Sequence, residues 1–216
     1  QNCGETLTFE NAPGSAVTVG QAATEVLYSL GLGDKVKGTS VWFNEVLTEF
    51  KEINDKVERL ADNDPSFEAV VNKRPELVAI QFEWHVGPQG IVATRQQFHD
   101  IKIPTYIMPA DCVGKDNTVG VDGTRSTLFS TATIHQGVRE LAEIFDVQDK
   151  GAEVVASLTD REAKAVADAK ALNLDDVSAV FWFSSAEMDI DPYVAGRKGG
   201  PGYIMEQLGI KNVIES

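Results

Sequence analysis

Length, composition and charge already exclude several classes of protein. The 216 residues are 43% hydrophobic and 24% charged, a composition typical of a globular protein with one large core or two smaller ones. No stretch approaches the roughly 20 consecutive apolar residues that a membrane-spanning helix needs. The formal net charge of −14 at pH 7 argues against a nucleic-acid partner, because binding to phosphates requires clustered Lys and Arg.

The two cysteines, Cys3 and Cys112, fit two interpretations. They either form a disulfide bond that holds the N-terminal segment of an exported protein, or remain buried thiols in a cytosolic one. The chain shows no signal peptide, so an exported protein is expected here in mature or trimmed form. A Cys-Gly pair near the N-terminus is also typical of the start of a mature lipoprotein.

Short apolar runs alternate with helical patterns along the first half of the chain. Ser66 is a predicted N-cap, Pro75 prevents the following helix from continuing, and Gly31 is a predicted helix stop. Strands that alternate with helices predict a mostly parallel sheet, so the expected fold class is α/β. The predicted strands are residues 16–20, 35–40, 77–80 and 104–108, and the predicted helices are residues 24–30, 66–73 and 94–100.

A long helical pattern follows, from residue 124 to residue 172, with few Pro or Gly residues. Apolar residues recur in it at helical intervals, and a break is expected near residues 146–149. A helix of this length is not needed to cross one sheet edge. We therefore interpret it as a long spine helix that joins two lobes, each built around a central, mostly parallel sheet.

A second α/β lobe begins after the spine. Residues 177–183 indicate a buried strand, and a glycine-rich turn, a helix at 203–208 and a strand at 212–214 follow. One or two βα units contain too few strands to bury a sheet, so we expect this lobe to be incomplete in the chain. The predicted domains are an N-terminal α/β lobe at residues 1–122, a connecting helical region at 123–173 and the start of a C-terminal α/β lobe at 174–216.

Several segments resemble one protein family. Residues 17–40 (VTVGQAATEVLYSLGLGDKVKGTS) resemble the opening of class III periplasmic binding proteins, which serve ABC importers of siderophores, haem and cobalamin. Residues 73–78 (KRPELV) resemble that family's step from helix to strand, with Glu76 where the family has Asp. Residues 103–106 resemble its next strand, and residues 195–200 resemble the glycine turn that opens its second lobe's first cleft helix.

The resemblance implies a disulfide, a fold and a function. The segments around Cys3 and Cys112 resemble a two-cysteine subgroup frequent in actinobacteria, which implies that these residues pair. The family's two lobes are bridged by one long helix, and its ligand lies between them at the carboxyl ends of the strands. The implied protein is a monomeric extracytoplasmic solute-binding protein, lipid-anchored in its full precursor, that delivers an iron–siderophore-type ligand to an ABC permease in the membrane.

Alternatives to this function stay open at the level of the sequence. Haem or cobalamin is the alternative ligand, and a surface receptor or scaffold without a role in transport is possible on the same fold. An enzyme is not expected, because the chain lacks a G-x-S-x-G elbow, a phosphate-binding loop and a G-x-G-x-x-G motif after a strand. No cofactor is expected either, since the iron chelate is the ligand.

Two loops at predicted strand ends carry the first candidate ligand residues. Aromatic rings offer rigid, flat apolar faces that suit a large planar or amphipathic ligand, although tryptophans here are also compatible with the core. His85 is expected to hydrogen-bond to the ligand or stack on it, because the three histidines lack the close spacing of a transition-metal site. The candidates are Trp42, Phe43, Glu83, Trp84 and His85.

The predicted second lobe carries further candidates. Trp182 and Tyr193 are expected to face the ligand together with Asp189, although Trp182 is equally compatible with a core position. Arg197 and Lys198 in the glycine-rich turn suit an anionic ligand such as a ferric siderophore, or else are solvated surface charges.

Glu68 is a candidate contact to the transporter. By resemblance, it matches the lobe-one glutamate that binds an arginine pocket of the membrane permease. Its alternative role is solvation of an exposed helix, where a single ion pair contributes only about 0–1 kcal/mol. The corresponding glutamate of the second lobe is expected beyond Ser216.

Overall fold

The computed structural model describes residues 1–88, 90–120, 123–184 and 192–214. The chain forms two compact units, of which the first contains residues 1–113 and 134–155 and the second residues 114–133 and 156–216. Elements up to residue 113 are β1 (Ala16–Val19), α1 (Gln21–Ser29), β2 (Val36–Ser40), α2 (Lys51–Asn54), β3 (Arg59–Ala61), α3 (Phe67–Val71), β4 (Leu77–Ile80), α4 (Arg95–Asp100) and β5 (Thr105–Ile107). The later elements are β6 (Lys115–Asp116), β7 (Thr124–Arg125), α5 (Ala132–Ile144), α6 (Gln148–Lys170), β8 (Ser178–Ala179), β9 (Trp182–Ser184), β10 (Tyr193–Val194), α7 (Gly200–Leu208) and β11 (Lys211–Asn212).

A five-stranded parallel sheet, in the order β3-β2-β1-β4-β5, forms the centre of the first unit. The central strands β1 (AVTV) and β4 (LVAI) are buried along their whole length, as expected for strands covered on both faces. The predicted α/β class with a mostly parallel sheet is therefore confirmed. All five strands run in the same direction, so the loops that follow them leave from one edge of the sheet, the carboxyl edge.

The predicted helix ends follow from local chemistry. Ser66 caps α3, with its Oγ accepting a hydrogen bond from the Ala69 backbone N–H. Gly31 follows α1 in the left-handed region, with φ of 75°, and the Leu32 N–H returns to the Leu27 carbonyl. This is the arrangement that a glycine stop provides.

The predicted break in the spine is present. It falls at residues 145–147, where Asp146 has a φ of 58°, and divides the spine into two helices, α5 and α6. The first helix begins later than predicted, at Ala132, because Thr124 and Arg125 pair as an antiparallel strand with residues 115–116. Within the described part of the chain, no helix is long and apolar enough to cross a membrane.

The second unit contains only short strands. The single buried strand predicted at residues 177–183 is wrong, because the chain changes strand partner within it. β8 pairs in parallel with β11, whereas β9 pairs antiparallel with β10. Trp182 and Phe183 on β9 are 64% and 67% exposed. The domain boundaries at residues 122 and 173 stay a prediction.

The N-terminal segment is fastened to the edge strand β5. The Asn2 side chain donates from Nδ2 to the Ile107 carbonyl oxygen (2.7 Å) and accepts at Oδ1 from the Ile107 N–H (2.8 Å). The predicted disulfide between Cys3 and Cys112 is present, with 5.7 Å between the Cα atoms. Buried Arg95 donates to the carbonyl oxygens of Asn2 (3.0 Å) and Cys3 (3.1 Å), and burial lowers the pKa of its guanidinium group. These contacts leave β5 without a free edge.

Candidate ligand-binding site

The loop after β2 is held in place by α1. Gln21 Oε1 accepts hydrogen bonds from the backbone N–H groups of Phe43 (3.3 Å) and Asn44 (3.1 Å). Glu25 Oε1 accepts from the Leu47 N–H (2.9 Å). Two side chains on one face of α1 thus fix the backbone of this loop at the carboxyl edge.

Trp42 packs into the protein at the start of this loop. Only 9% of its surface is exposed, and its indole Nε1–H donates to Thr39 Oγ1 (3.1 Å). The Arg59 guanidinium group lies over the indole, with its central carbon 5.0 Å from the ring centroid. Of the two roles that the sequence allowed for Trp42, this placement favours the core.

The neighbouring aromatic residues Phe43 and Trp84 are exposed, and each packs against a less exposed ring, Phe82 for Phe43 and His85 for Trp84. Phe43 is 63% exposed and Trp84 is 45% exposed. The Phe43 and Phe82 ring centroids are 6.1 Å apart, and His85 lies 6.0 Å from Phe82 and 5.2 Å from Trp84. We call Phe43, Phe82 and Trp84 the aromatic edge. Its residues lie on the loops that follow β2 and β4. The sequence had already indicated two of them, Phe43 and Trp84, as candidate ligand residues.

Glu83 and His85 lie in the same 3₁₀ turn as Trp84 but are less accessible. The Glu83 backbone N–H donates to Asp111 Oδ2 (2.7 Å). His85 is fully buried, and its ring nitrogens contact the Phe82 carbonyl oxygen (3.1 Å) and Asp64 Oδ1 (2.9 Å). In this structure His85 therefore contacts protein groups and has no surface that could stack on a ligand.

In the second unit, the candidates lie in two groups. Trp182 and Tyr193 stand on the paired strands β9 and β10, and Tyr193 is 50% exposed. Arg197 and Lys198 are exposed in the turn before α7, where the Lys198 carbonyl oxygen accepts from the Phe129 N–H (2.8 Å).

Two further predictions from the sequence concern Asp189 and Glu68. Asp189, expected beside Tyr193, lies outside the described residues. Glu68 is exposed in the first turn of α3, two residues after the Ser66 cap.

A cavity of about 720 Å³ lies elsewhere in the first unit, between the N-terminal segment and α5. Its charged lining is acidic, with Glu10, Glu140, Glu143 and Asp146. Such a lining repels an anionic ligand, so we do not assign the ligand site to this cavity. Among residues 1–88, 90–120, 123–184 and 192–214, no three His, Cys, Asp or Glu side chains are grouped so that they could hold a metal ion.

Comparison with known proteins identifies the family. The sequence profile of the family described as "Periplasmic binding protein" matches residues 17–216. The chain belongs to this family. Its members are substrate-binding proteins of transport systems outside the cytoplasm and are not enzymes, in agreement with the prediction of a binding protein.

Individual relatives are distant. An uncharacterized ABC transporter substrate-binding lipoprotein of Bacillus subtilis is 24% identical over 207 residues, which cover 95% of this chain and 57% of the relative. The chain thus spans little more than half the length of that protein.

Solved structures share the fold. A periplasmic binding protein from Veillonella parvula has a TM-score of 0.74 at 24% identity, over 96% of this chain and 63% of that one. An ABC-type Fe³⁺-hydroxamate transport protein from Saccharomonospora viridis has a TM-score of 0.73 at 23% identity, over 98% and 68%. A periplasmic haem-binding protein from Roseiflexus has a TM-score of 0.66 at 18% identity, over 93% and 68%.

Sequence reasoning missed three residues that shape the site: Gln21, Asp64 and Phe82. Phe82 lies between the predicted strand at residues 77–80 and the candidate residues of the loop, and it was not singled out. Asp64 follows β3, a three-residue strand without a periodic pattern that could reveal it. Gln21 acts through its side-chain amide, and no spacing rule in the sequence indicates a contact 22 residues away.

Proposed function

We propose that this chain captures a ferric siderophore outside the cytoplasm and delivers it to an ABC importer, with a lipid anchor on the full precursor. The family supports the transport role, and the Bacillus relative named a lipoprotein supports the anchor. The ligand class is supported by the Fe³⁺-hydroxamate transport protein among the similar structures. Haem and cobalamin are the competing ligands.

The observation that carries this proposal is the aromatic edge. Exposed aromatic residues at the carboxyl edge of a parallel sheet are positioned where open α/β sheets bind ligands. Phe43 and Trp84 are well exposed although each has a ring partner, so a ligand has two flat apolar surfaces to cover. We therefore expect contacts with these two residues to contribute most of the free energy of ligand binding.

The second unit, taken by itself, carries further candidate ligand residues. Trp182 and Tyr193 offer further exposed rings, and the cations Arg197 and Lys198 suit the anionic groups of a ferric chelate. We propose all four as ligand residues. Glu68 is proposed as the contact to the permease, since it is exposed on α3.

The test is a titration of intrinsic tryptophan fluorescence with ferric hydroxamate siderophores, haemin and cobalamin. Trp84→Ala should weaken binding of the correct ligand by about 1–3 kcal/mol, or roughly 5- to 150-fold, as loss of an aromatic anchor does. Trp84→Phe should recover part of this loss because it retains a ring.

The matched control is Ile101→Ala. Ile101 is 45% exposed, like Trp84, but precedes β5 and so lies toward the opposite edge of the sheet. Its substitution should leave the affinity unchanged. If the parent chain and Trp84→Ala bind with equal affinity, the aromatic edge is not part of the ligand site. If haemin alone binds saturably, the ligand is haem and not a siderophore.

A further inference from the structure

A buried cluster of threonine hydroxyl groups joins α1 to β1 and β2. The Oγ1 atom of Thr24 on α1 lies 2.7 Å from Thr18 Oγ1 on β1 and 2.8 Å from Thr39 Oγ1 on β2. Thr24 Oγ1 is also 2.9 Å from the Gly20 carbonyl oxygen, which can only accept. All three threonines are at most 1% exposed, so their hydroxyl groups depend on one another for hydrogen bonds.

The available donors and acceptors fix the direction of each bond in this cluster. Among the residues that the structure describes, Thr18 Oγ1 has Thr24 as its one hydrogen-bond partner, so the Thr18 hydroxyl donates to Thr24. The other neighbour of Thr39 Oγ1 is the indole Nε1–H of Trp42 (3.1 Å), which can only donate, so the Thr39 hydroxyl also donates to Thr24. Thr24 in turn donates to the Gly20 carbonyl oxygen. Thr39 thus links Trp42 to α1.

The bond between Trp42 and Thr39 closes a turn with a strained backbone. Val41 has a φ of 60°, a left-handed conformation that is unfavourable for a β-branched side chain. Such a conformation persists only where the surrounding contacts hold it. Two backbone bonds hold it here, from the Gln21 N–H to the Val41 carbonyl oxygen (3.0 Å) and from the Trp42 N–H to the Asp62 carbonyl oxygen (2.9 Å). The third bond is that of the indole, and it is the one that a side-chain substitution can remove.

We propose that Thr39 is a positioning residue of the ligand site: it fixes Trp42, holds the turn at Val41 and thereby orients Phe43 on the aromatic edge. The inference rests on the ligand role proposed above for Phe43. Without the Thr39 hydroxyl, the buried indole N–H has lost its acceptor and the turn has lost one of its three bonds. Phe43 then samples other directions, and ordering it again costs part of the free energy of ligand binding. Thr39 itself is buried and does not touch the ligand.

The first experiment needs no ligand and follows hydrogen exchange at the Phe43 and Asn44 amides. Both amides donate to Gln21 Oε1, so opening of the turn breaks these bonds and accelerates exchange. Thr39→Val replaces the hydroxyl with a methyl group of similar size, and exchange at both amides should become about ten-fold faster. Thr39→Ser keeps the oxygen that accepts from Trp42 and should restore most of the slow exchange.

The matched control is Thr18→Val. Thr18 is as buried as Thr39 and belongs to the same cluster, but its hydroxyl only donates to Thr24. Its removal therefore leaves no buried donor without an acceptor, and the bond between Trp42 and Thr39 stays in place. Exchange at the two amides should remain as in the parent chain. The proposal is overturned if Thr39→Val accelerates exchange no more than Thr18→Val does, or if Thr39→Ser does not slow it relative to Thr39→Val.

Trp42→Phe tests the same bond from its other end. It removes the indole N–H without leaving a buried donor unpaired, so it decides the question even if Thr39→Val does not fold. Exchange at the Phe43 and Asn44 amides should again become several-fold faster. Exchange at the rate of the parent chain would show that the bond does not hold the turn.

The second experiment titrates the same variants with a ferric hydroxamate siderophore. Thr39→Val should bind about ten-fold more weakly than the parent chain, Thr18→Val should bind equally, and Thr39→Ser should recover most of the loss. Phe43→Ala separates positioning from a general loss of stability: in a chain without the Phe43 ring, adding Thr39→Val should weaken binding no further.

Equal losses of affinity on Thr39→Val with and without the Phe43 ring contradict the inference, because Thr39 then does not act through that ring. If no siderophore binds the parent chain, the proposed function fails. The exchange experiment then still decides whether Thr39 positions the loop that carries Phe43, since it requires no ligand.

Discussion

Gly20 fixes the start of α1 at the carboxyl edge. Its φ of 127° is a conformation that residues with a Cβ rarely adopt. A Cβ built at this position would lie 2.2 Å from Gln81 Cβ. Gln81 cannot move away freely, because its Oε1 accepts a hydrogen bond from the Ala22 N–H (2.9 Å) at the start of the helix. The site thus depends on the absence of one side chain.

Gly20→Ala should lower the free energy of unfolding by about 3 kcal/mol, since backbone strain and a steric clash add together. Gly31→Ala is the matched control, because Gly31 also has positive φ but its Cβ would meet nothing within 4 Å. The control should lose only about 1 kcal/mol. Urea unfolding followed by circular dichroism measures both values, and equal losses would mean that contact with Gln81 contributes nothing.

The sequence did not allow us to predict which side chains at the strand ends are buried and which are exposed. Trp42 and Trp84 follow predicted strands in the same way and received the same interpretation. The structure separates them: Trp42 follows Val41, whose φ is 60°, and is buried, whereas Trp84 lies in a 3₁₀ turn and is exposed. A single non-glycine residue with positive φ redirects the chain, and no residue pattern indicates it.

At the scale of elements, two attachments hold the N-terminal segment in addition to the hydrogen bonds between Asn2 and Ile107. One is the disulfide between Cys3 and Cys112, which closes a loop with a sequence separation of 109. The other is Arg95, which also donates to Thr105 through Nε and Nη2, at 3.0 and 2.9 Å. Arg95 therefore ties α4 both to β5 and to the N-terminal segment, and reduction of the disulfide leaves this second attachment in place.

Arg95→Met should lower the free energy of unfolding by about 3 kcal/mol even with the disulfide intact. The substitution keeps the side-chain stem but leaves buried carbonyl oxygens without donors, and each such loss costs about 1–3 kcal/mol. Faster hydrogen exchange at the Ile107 amide should accompany it, because that amide is held by Asn2.

The control for this prediction is Gln96→Met on the same helix. Gln96 is exposed and bonds to Asp100, so its loss should change the free energy of unfolding by less than about 0.5 kcal/mol. Similar unfolding curves for the two variants would show that Arg95 contributes no more than a surface residue.

Elements with a strong pattern of apolar residues or a glycine stop could be predicted from the sequence, whereas very short elements could not. β1 and β4 are continuous apolar runs, and α1 ends at a glycine, so each left a clear signal. β3 has three residues and α2 has four, too few for any period to emerge. In the second unit, residues 177–183 looked like one strand because their apolar content does not show where the chain changes partner.

At the scale of the whole molecule, the proposed function requires contact with a transporter as well as a ligand. Glu68 and Asp64 lie on either side of the Ser66 helix cap. Glu68 is exposed in the first turn of α3 and forms no ion pair among the described residues. Its negative charge also interacts favourably with the helix dipole. A charge at such a position is available to a basic surface on a permease.

Glu68→Arg should therefore leave siderophore affinity unchanged and reduce uptake by about ten-fold or more, because like charges across an interface cost several kcal/mol. The assay compares uptake of radioactive iron by cells that carry the complete protein with titration of the same variant in solution. Glu49→Arg is the matched control: Glu49 is also exposed and near a helix start, and the substitution changes the net charge equally. Uptake should fall for Glu68→Arg alone. Equal uptake by the two variants would show that Glu68 does not contact the permease. A parallel loss of siderophore affinity would show that the substitution had damaged the fold.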